Sequence, residues 1–295
     1  MSKEKSLSEL DEIVELSYLY DFYGALLKES NRVVFEDYVL SNLSLSEIAK
    51  ERDITRQGVY DIVKRCRTRL KGYEEKLHLI EKFQLTKDKL GEIESIAKDY
   101  GTAAKRAVNA GFDVVEIHAG HSYLISQFLS PTTNDRTDEF GGSAKNRARF
   151  CRMVIDEVRK AVGPRVPISL RLSVDELVEG GNTVEDCLEY LEYLNDEVDI
   201  YDTSAGLNAS IQYQIDANYL EDGWRSYMAK AVRDKFGKPT IAIGNIRDPK
   251  IADDILARGD ADLIGIGRGL IADPDWCNKA QYGDVCDIRK CISCN

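Results

Sequence analysis

Two of the three histidines in this 295-residue chain stand three apart in the stretch EIHAGHSY, as His118 and His121, with Tyr123 two positions later. A pair of imidazoles first suggests zinc. A metal site commonly takes three or four protein ligands, however, and no third histidine or cysteine lies nearby in sequence. At the C-terminal end of a β-strand these side chains would instead point into the mouth of a (β/α)8 barrel, where such folds keep their chemistry. There, two neutral imidazoles can hydrogen-bond one substrate oxygen and draw electron density onto a carbonyl or nitro group. Hydride then adds at the conjugated carbon, and a phenol such as Tyr123 protonates the neighbouring one. A second candidate lies at RKCISCN, where Cys291 and Cys294 form a C-x2-C pair, half of a zinc or iron–sulfur ligand set. Two thiolates cannot complete a four-ligand cluster, so a [4Fe-4S] cluster is not expected in this chain alone.

The elements that would position the histidines begin at Gly111. Short β-branched runs alternate there with amphipathic stretches of helical spacing, the pattern of parallel βαβ units. The runs are VVEIH (114–118), ISLRLS (168–173), VDIYDTS (198–204), TIAIGN (240–245) and DLIGIG (262–267). The stretches 145–162, 183–195, 224–236 and 248–258 read as the helices between them. The first ~85 residues have almost no glycine or proline and show only helical periodicity. The fold class expected is therefore α + α/β: an all-helical module over 1–85, then a partial TIM-type barrel of about five parallel strands over 86–295. Residues 85–111 could extend the first helical array or begin the second part.

Composition sets outer limits. A hydrophobic fraction of 43% and a charged fraction of 31% are ordinary globular values. No apolar run approaches the ~18 residues of a spanning helix, and the charged start MSKEKSLSELDE lacks the apolar region of a signal peptide. The seven cysteines do not resemble a secreted disulfide framework. A cytoplasmic protein with reduced thiols and no membrane partner is expected. The net charge of −11 argues against general nucleic-acid coating but leaves room for a local basic patch.

Such a patch lies in SLSEIAKERDITRQGVYDIVKRCRTRL. Ile48 and Ala49 fall on one helix, Ile54 closes a turn, and Thr55 caps a second helix whose Val59, Ile62 and Val63 would face the first. This spacing fits a helix-turn-helix whose second helix can enter a major groove. Between Lys50 and Lys71 there are eight basic residues and three acidic ones. Arg56 and Gln57 are the side chains expected nearest base edges, with Lys64 and Arg65 on phosphates. A tri-helical structural module with a solvated basic face is the alternative.

Two family resemblances follow from these motifs. SYLYDFYGALL, SLSEIAKERDITRQGVYDIVKR and GYEEKLHLIEKFQ, over residues ~10–85, resemble the YlxM family of bacterial helix-turn-helix proteins. That implies a regulatory link to the signal recognition particle, with DNA or the particle's RNA or protein as partner. The segment AGFDVVEIHAGHSYLISQFLSPTTNDRTDEFGGSAKNRARF, continued by ISLRLS, AIGNIRDP and GIGRGLIADPDW, resembles the Old Yellow Enzyme family of FMN-dependent NAD(P)H oxidoreductases. The resemblance implies that His118 and His121 hold the substrate's oxygen and that Tyr123 is a proton donor or a wall of the site. Arg171 would lie beside the flavin's N1 and C2 oxygen, where a cation stabilises the reduced ring. Gly244 and Asn245, with Gly267 and Arg268, would form the phosphate-binding loops. The implied substrate is an enone or enoyl thioester.

The match starts just before the family's fourth strand and stops inside a four-cysteine motif found in the 2,4-dienoyl-CoA reductase-like members. A barrel incomplete at both ends is therefore expected, with activity dependent on a partner chain or homo-oligomer. The alternatives are a DNA- or RNA-binding regulator carrying an inactive barrel fragment, and a reading frame that joins two unrelated genes.

Overall fold

The computed structural model describes residues 7–294. The chain divides into two compact units, Met1–Glu92 and Ile93–Asn295. None of the described helices is long and apolar enough to cross a membrane.

The first unit is helical: α1 (Leu7–Tyr23), α2 (Glu29–Val39), α3 (Leu45–Glu51), α4 (Arg56–Leu77) and the first part of α5 (Leu79–Asn109). Local signals set the boundaries. Ser44 and Glu47 form a reciprocal capping box at the start of α3, and Thr55 Oγ1 accepts from the Gly58 amide at the start of α4. His78, in a left-handed conformation, ends α4. On α4 the buried residues Val59, Val63, Cys66 and Leu70 recur at helical spacing and meet Ile48 of α3, Val34 and Phe35 of α2 and Leu16 of α1 in one core. Ile62 packs against that core while partly exposed. The stretch 85–109 is helix throughout, and the division between units falls within α5.

The second unit alternates strand and helix. Its elements are β1 (Val115–Ala119), α6 (Leu124–Leu129), α7 (Ala144–Val162), β2 (Ile168–Asp175), α8 (Val184–Leu191), β3 (Ile200–Ala205), α9 (Ile211–Gln214), α10 (Ser226–Phe236), β4 (Thr240–Ile243), α11 (Pro249–Ala257), β5 (Leu263–Gly265), α12 (Arg268–Ala272) and α13 (Trp276–Tyr282). All four pairings are parallel and the spatial order is β1-β2-β3-β4-β5. A sheet that adds each strand beside the last is wound in one direction, as in a barrel. A doubly wound sheet would reverse its order. The five strands fall on the five β-branched runs of the sequence.

Alternation along the strands decides which residues meet. Ile117, Leu170, Leu172, Tyr201 and Ala242 are buried on the face covered by helices, where α6 lies against β1, α8 against β2, and α10 against β3 and β4. The other face carries one register row across the sheet: His118, Arg171, Asp202, Ile241 and Leu263. An imidazole, a guanidinium and a carboxylate thus stand side by side on neighbouring strands.

Candidate active site

The row's first member ends on a tight turn. His121 and Ser122 both take positive φ, 59° and 62°. The turn is clamped to β2: the His121 amide donates to Ser173 Oγ at 3.0 Å, and Ser173 Oγ donates to the Gly206 carbonyl at 2.7 Å. Only glycine fits at 120, because a Cβ there would stand 2.8 Å from the Ser173 nitrogen. This geometry brings the His121 ring within 5.1 Å of the His118 ring, centroid to centroid, and the Tyr123 ring within 5.0 Å of it. Tyr123 is 61% exposed, whereas His121 is buried.

The two imidazoles are in different situations. His121 Nε2 shares a 2.7 Å hydrogen bond with Ser204 Oγ of β3, and His118 Nδ1 is buried with no hydrogen-bond partner among the described residues. Burial, reinforced by the Arg171 cation, holds both below the usual histidine range, His121 at about 3. Both rings are therefore neutral at pH 7, and His118 retains an unused ring nitrogen.

Arg171 connects the histidines to a cavity of about 670 Å³, which it lines together with Asp202, Gly244, Asn245, Gly267 and Arg268. Its Nη1 donates to Asp202 Oδ2 at 2.9 Å. Burial pushes the Asp202 carboxyl up to about 6, although Arg171 pulls the other way. Gly244 has φ +116° and Asn245 φ +45°. A Cβ at 244 would lie 2.3 Å from Arg225 Nε, so the backbone there runs hard against a guanidinium. The Asn245 side chain is committed to structure, donating to the Ala217 and Leu220 carbonyls and accepting from Ser293 Oγ. Arg268 Nη2 donates to the Asp216 carbonyl at 3.0 Å.

The residues proposed from sequence for the site thus fall into two neighbouring groups, the His118–His121–Tyr123 cluster and the cavity wall, with Arg171 bordering both. Sequence reasoning missed Asp202, Ser204, Ser173, Asp216 and Arg225. Arg225 is 4% exposed, pairs with the equally buried Asp216 at 3.1 Å, and donates to the Ile243 and Tyr213 carbonyls. Only strand register discloses Asp202 as the neighbour of Arg171. Nothing in the local sequence marks Arg225.

Cys291 lines the same cavity and Cys294 is exposed. Among the described residues no group of three or more His, Cys, Asp and Glu side chains comes together as a metal site. In the first unit, Arg56 and Gln57 open α4, and Gln57 Nε2 donates to Asp61 within the same helix at 3.1 Å. Lys64 and Arg65 line a second cavity, of about 660 Å³, with Lys28, Arg69 and Lys76.

Residues 52–285 match the NADH:flavin oxidoreductase / NADH oxidase family. Over 207 residues the chain is 45% identical to the NADH oxidase of Thermoanaerobacter brockii, a match covering 70% of this chain and 32% of that protein. Over 190 residues it is 38% identical to the NADPH dehydrogenase of Bacillus subtilis (strain 168), covering 64% and 54%. Among solved structures, 2-naphthoyl-CoA reductase in complex with 2-naphthoyl-CoA superposes with a TM-score of 0.66 at 32% identity, over 69% of this chain and 31% of that one. Morphinone reductase in complex with tetrahydroNAD gives 0.51 at 33% identity, over 65% and 50%. The chain spans about a third to a half of the length of these relatives.

Proposed function

Because the chain belongs to the NADH:flavin oxidoreductase / NADH oxidase family, we propose that its second unit binds FMN and reduces an activated C=C bond, of an enone or enoyl thioester, at the expense of NAD(P)H. The observation that carries this reading is the row His118–Arg171–Asp202, with the unpaired His118 nitrogen at one end and the glycine-walled cavity at the other.

The residues suit the flavin. Arg171 supplies a cation at the wall of the cavity. Nothing stands within 4 Å of where a Cβ at Gly267 would lie, and the Gly244–Asn245 main chain takes positive φ at the cavity wall, so both loops bring backbone groups to the cavity of the kind phosphate binding uses. When bound, the flavin would accept hydride from the nicotinamide and pass it to the substrate. The protein's own part is binding and polarisation. His118, neutral and partly exposed, with its Nδ1 unpartnered among the described residues, offers a ring N–H to the substrate oxygen without giving up a proton. His121, held by Ser204, sets the wall behind it. Tyr123, exposed beside His118, is the proton donor. The 2-naphthoyl-CoA bound to a relative fits the thioester class. A cytoplasmic setting, with a second chain completing the barrel, belongs to the same reading.

The test is the visible spectrum of the full-length protein after loading with FMN and desalting, followed by NAD(P)H-dependent enone reduction. A retained band near ~450 nm is expected. A colourless protein at micromolar FMN rules the reading out. In the FMN-loaded protein, His118→Gln is expected to lower kcat by about 10²-fold, the scale of one lost electrostatic donor.

A second reading concerns residues 10–85. The Thr55-capped α4 carries Lys64 and Arg65 with no ion pair among the described residues, whereas Arg67 and Lys71 pair with Glu12 and Glu15 of α1. This unpaired face favours a YlxM-like helix-turn-helix that contacts DNA or signal recognition particle RNA. Oligonucleotide binding that weakens with salt and with Arg65→Ala is expected; binding insensitive to both would exclude it.

A further inference from the structure

Asp202 is an expensive residue to keep. Its side chain is 7% exposed, and one oxygen, Oδ1, is buried without a hydrogen-bond partner among the described residues. Leaving a buried acceptor unsatisfied costs stability, and a buried ion pair often contributes nothing net. An apolar residue in the row, like Ile241 on the next strand, would avoid that cost. The carboxylate's one strong contact is with Arg171, its register partner on β2, itself the register partner of His118 on β1.

We propose that Asp202 is a positioning residue of this site: it fixes the Arg171 guanidinium in the row and cancels part of its charge. His118 and the cavity then feel the field of the Arg171–Asp202 pair, not that of a lone cation. The His118 consequence stands on the geometry alone. The consequence for flavin rests on the function proposed above.

The charged groups around Asp202 are Glu116 from β1, Arg171 from β2 and Arg225, which precedes α10. Burial raises the Asp202 carboxyl most, Glu116 adds to it, and the two arginines oppose. His118 is lowered by burial first and by Arg171 second, while Glu116 opposes. Removing the Asp202 charge with Arg171 still in place therefore leaves His118 facing a stronger cation.

Two variants separate position from charge. Asp202→Asn keeps an oxygen that can accept from Arg171 Nη1 and removes the charge. Asp202→Ala removes both. In the flavin-free full chain, the His118 ring signals, assigned in NMR spectra against His118→Gln, are expected to shift with an inflection near pH 6 in the wild type, where Asp202 titrates, and to lack that inflection in Asp202→Asn. With FMN at pH 8, Asp202→Asn is expected to raise the ratio of reduced to oxidised flavin affinity about tenfold, equivalent to about 30 mV for a two-electron couple. Asp202→Ala is expected to weaken oxidised FMN about tenfold, whereas Asp202→Asn changes it less than about threefold. The wild type and Asp202→Asn should converge toward pH 5, because protonation removes the same charge.

An inflection near pH 6 that is absent from the wild type, or that persists in Asp202→Asn, would overturn the proposal and leave Asp202 a packing residue. If no variant retains FMN, the flavin reading falls and the His118 titration still decides the role of Asp202. If Asp202→Asn does not fold, the wild-type His118 signals decide: a second inflection near pH 6 supports the coupling and a single inflection refutes it.

Discussion

At the scale of single residues, burial keeps the two imidazoles of the cluster neutral at pH 7, and that has a consequence for stability. His121 is held at about 3 against an ordinary histidine value of 6.5, so between those two pH values the unfolded chain binds a proton that the folded chain does not. Stability contributed by neutral His121 is therefore complete above pH 6.5 and is lost as pH falls. By pH 5 the loss amounts to about 2 kcal/mol at 1.36 kcal/mol per unit. His121→Asn, a residue that tolerates the left-handed conformation at this position, removes the titrating group. Denaturant melts at pH 7.5 and pH 5 are expected to show the wild type losing about 2 kcal/mol more than the variant; equal losses would mean that His121 is charged in the fold. Asp202 runs the other way. Its carboxyl is raised to about 6, so its contribution is full below the unfolded value of 3.8 and declines as pH rises through 6. Both assignments depend on neighbours from other strands, which is why the sequence showed the histidines but not their condition.

At the scale of elements, the loops after strands hold the cavity open. Gly244 follows β4 with φ +116°, and a methyl group there would meet Arg225 Nε at 2.3 Å. Gly244→Ala is expected to displace Arg225 from the Ile243 carbonyl and to weaken FMN at least about tenfold. The strain also costs about 1–3 kcal/mol of stability, the range for a residue forced into a sparsely populated conformation. A flavin titration and a urea melt of the one variant check both numbers. In the first unit the boundaries lie in side-chain caps. Thr55→Ala removes the acceptor for the Gly58 amide and is expected to cost about 1 kcal/mol in a urea melt, with the α-helical circular dichroism of the folded protein unchanged. These caps are local in sequence, and the helix start at 56 was legible from Thr55. The run from 85 to 109 was not, because its periodicity suits either the end of a helical array or the start of the barrel-like part, and only the folded chain makes it one helix with 79–84.

At the scale of the whole molecule, five parallel strands leave β1 and β5 as edges, and Leu263 on β5 is 48% exposed on the same face as Arg171. Unpaired strand edges beside apolar surface promote pairing with another chain. Sedimentation velocity is expected to show association that grows with protein concentration and that Leu263→Lys reduces; a monomer at all concentrations would count against any completion of the barrel by a second copy. The family, the five strands, the Thr55 cap and the closeness of His118, His121 and Tyr123 could all be read from sequence, because each is carried by neighbours in the chain: alternation, a cap residue, and a motif of contiguous side chains. The row beside the cluster could not. Register between β1, β2 and β3 sets Arg171 between His118 and Asp202, and burial then leaves one imidazole nitrogen and one carboxylate oxygen without partners among the described residues. Those are properties of residues 31 and 53 positions apart brought side by side by hydrogen bonds between strands, and only the tertiary structure decides which residues those bonds bring together.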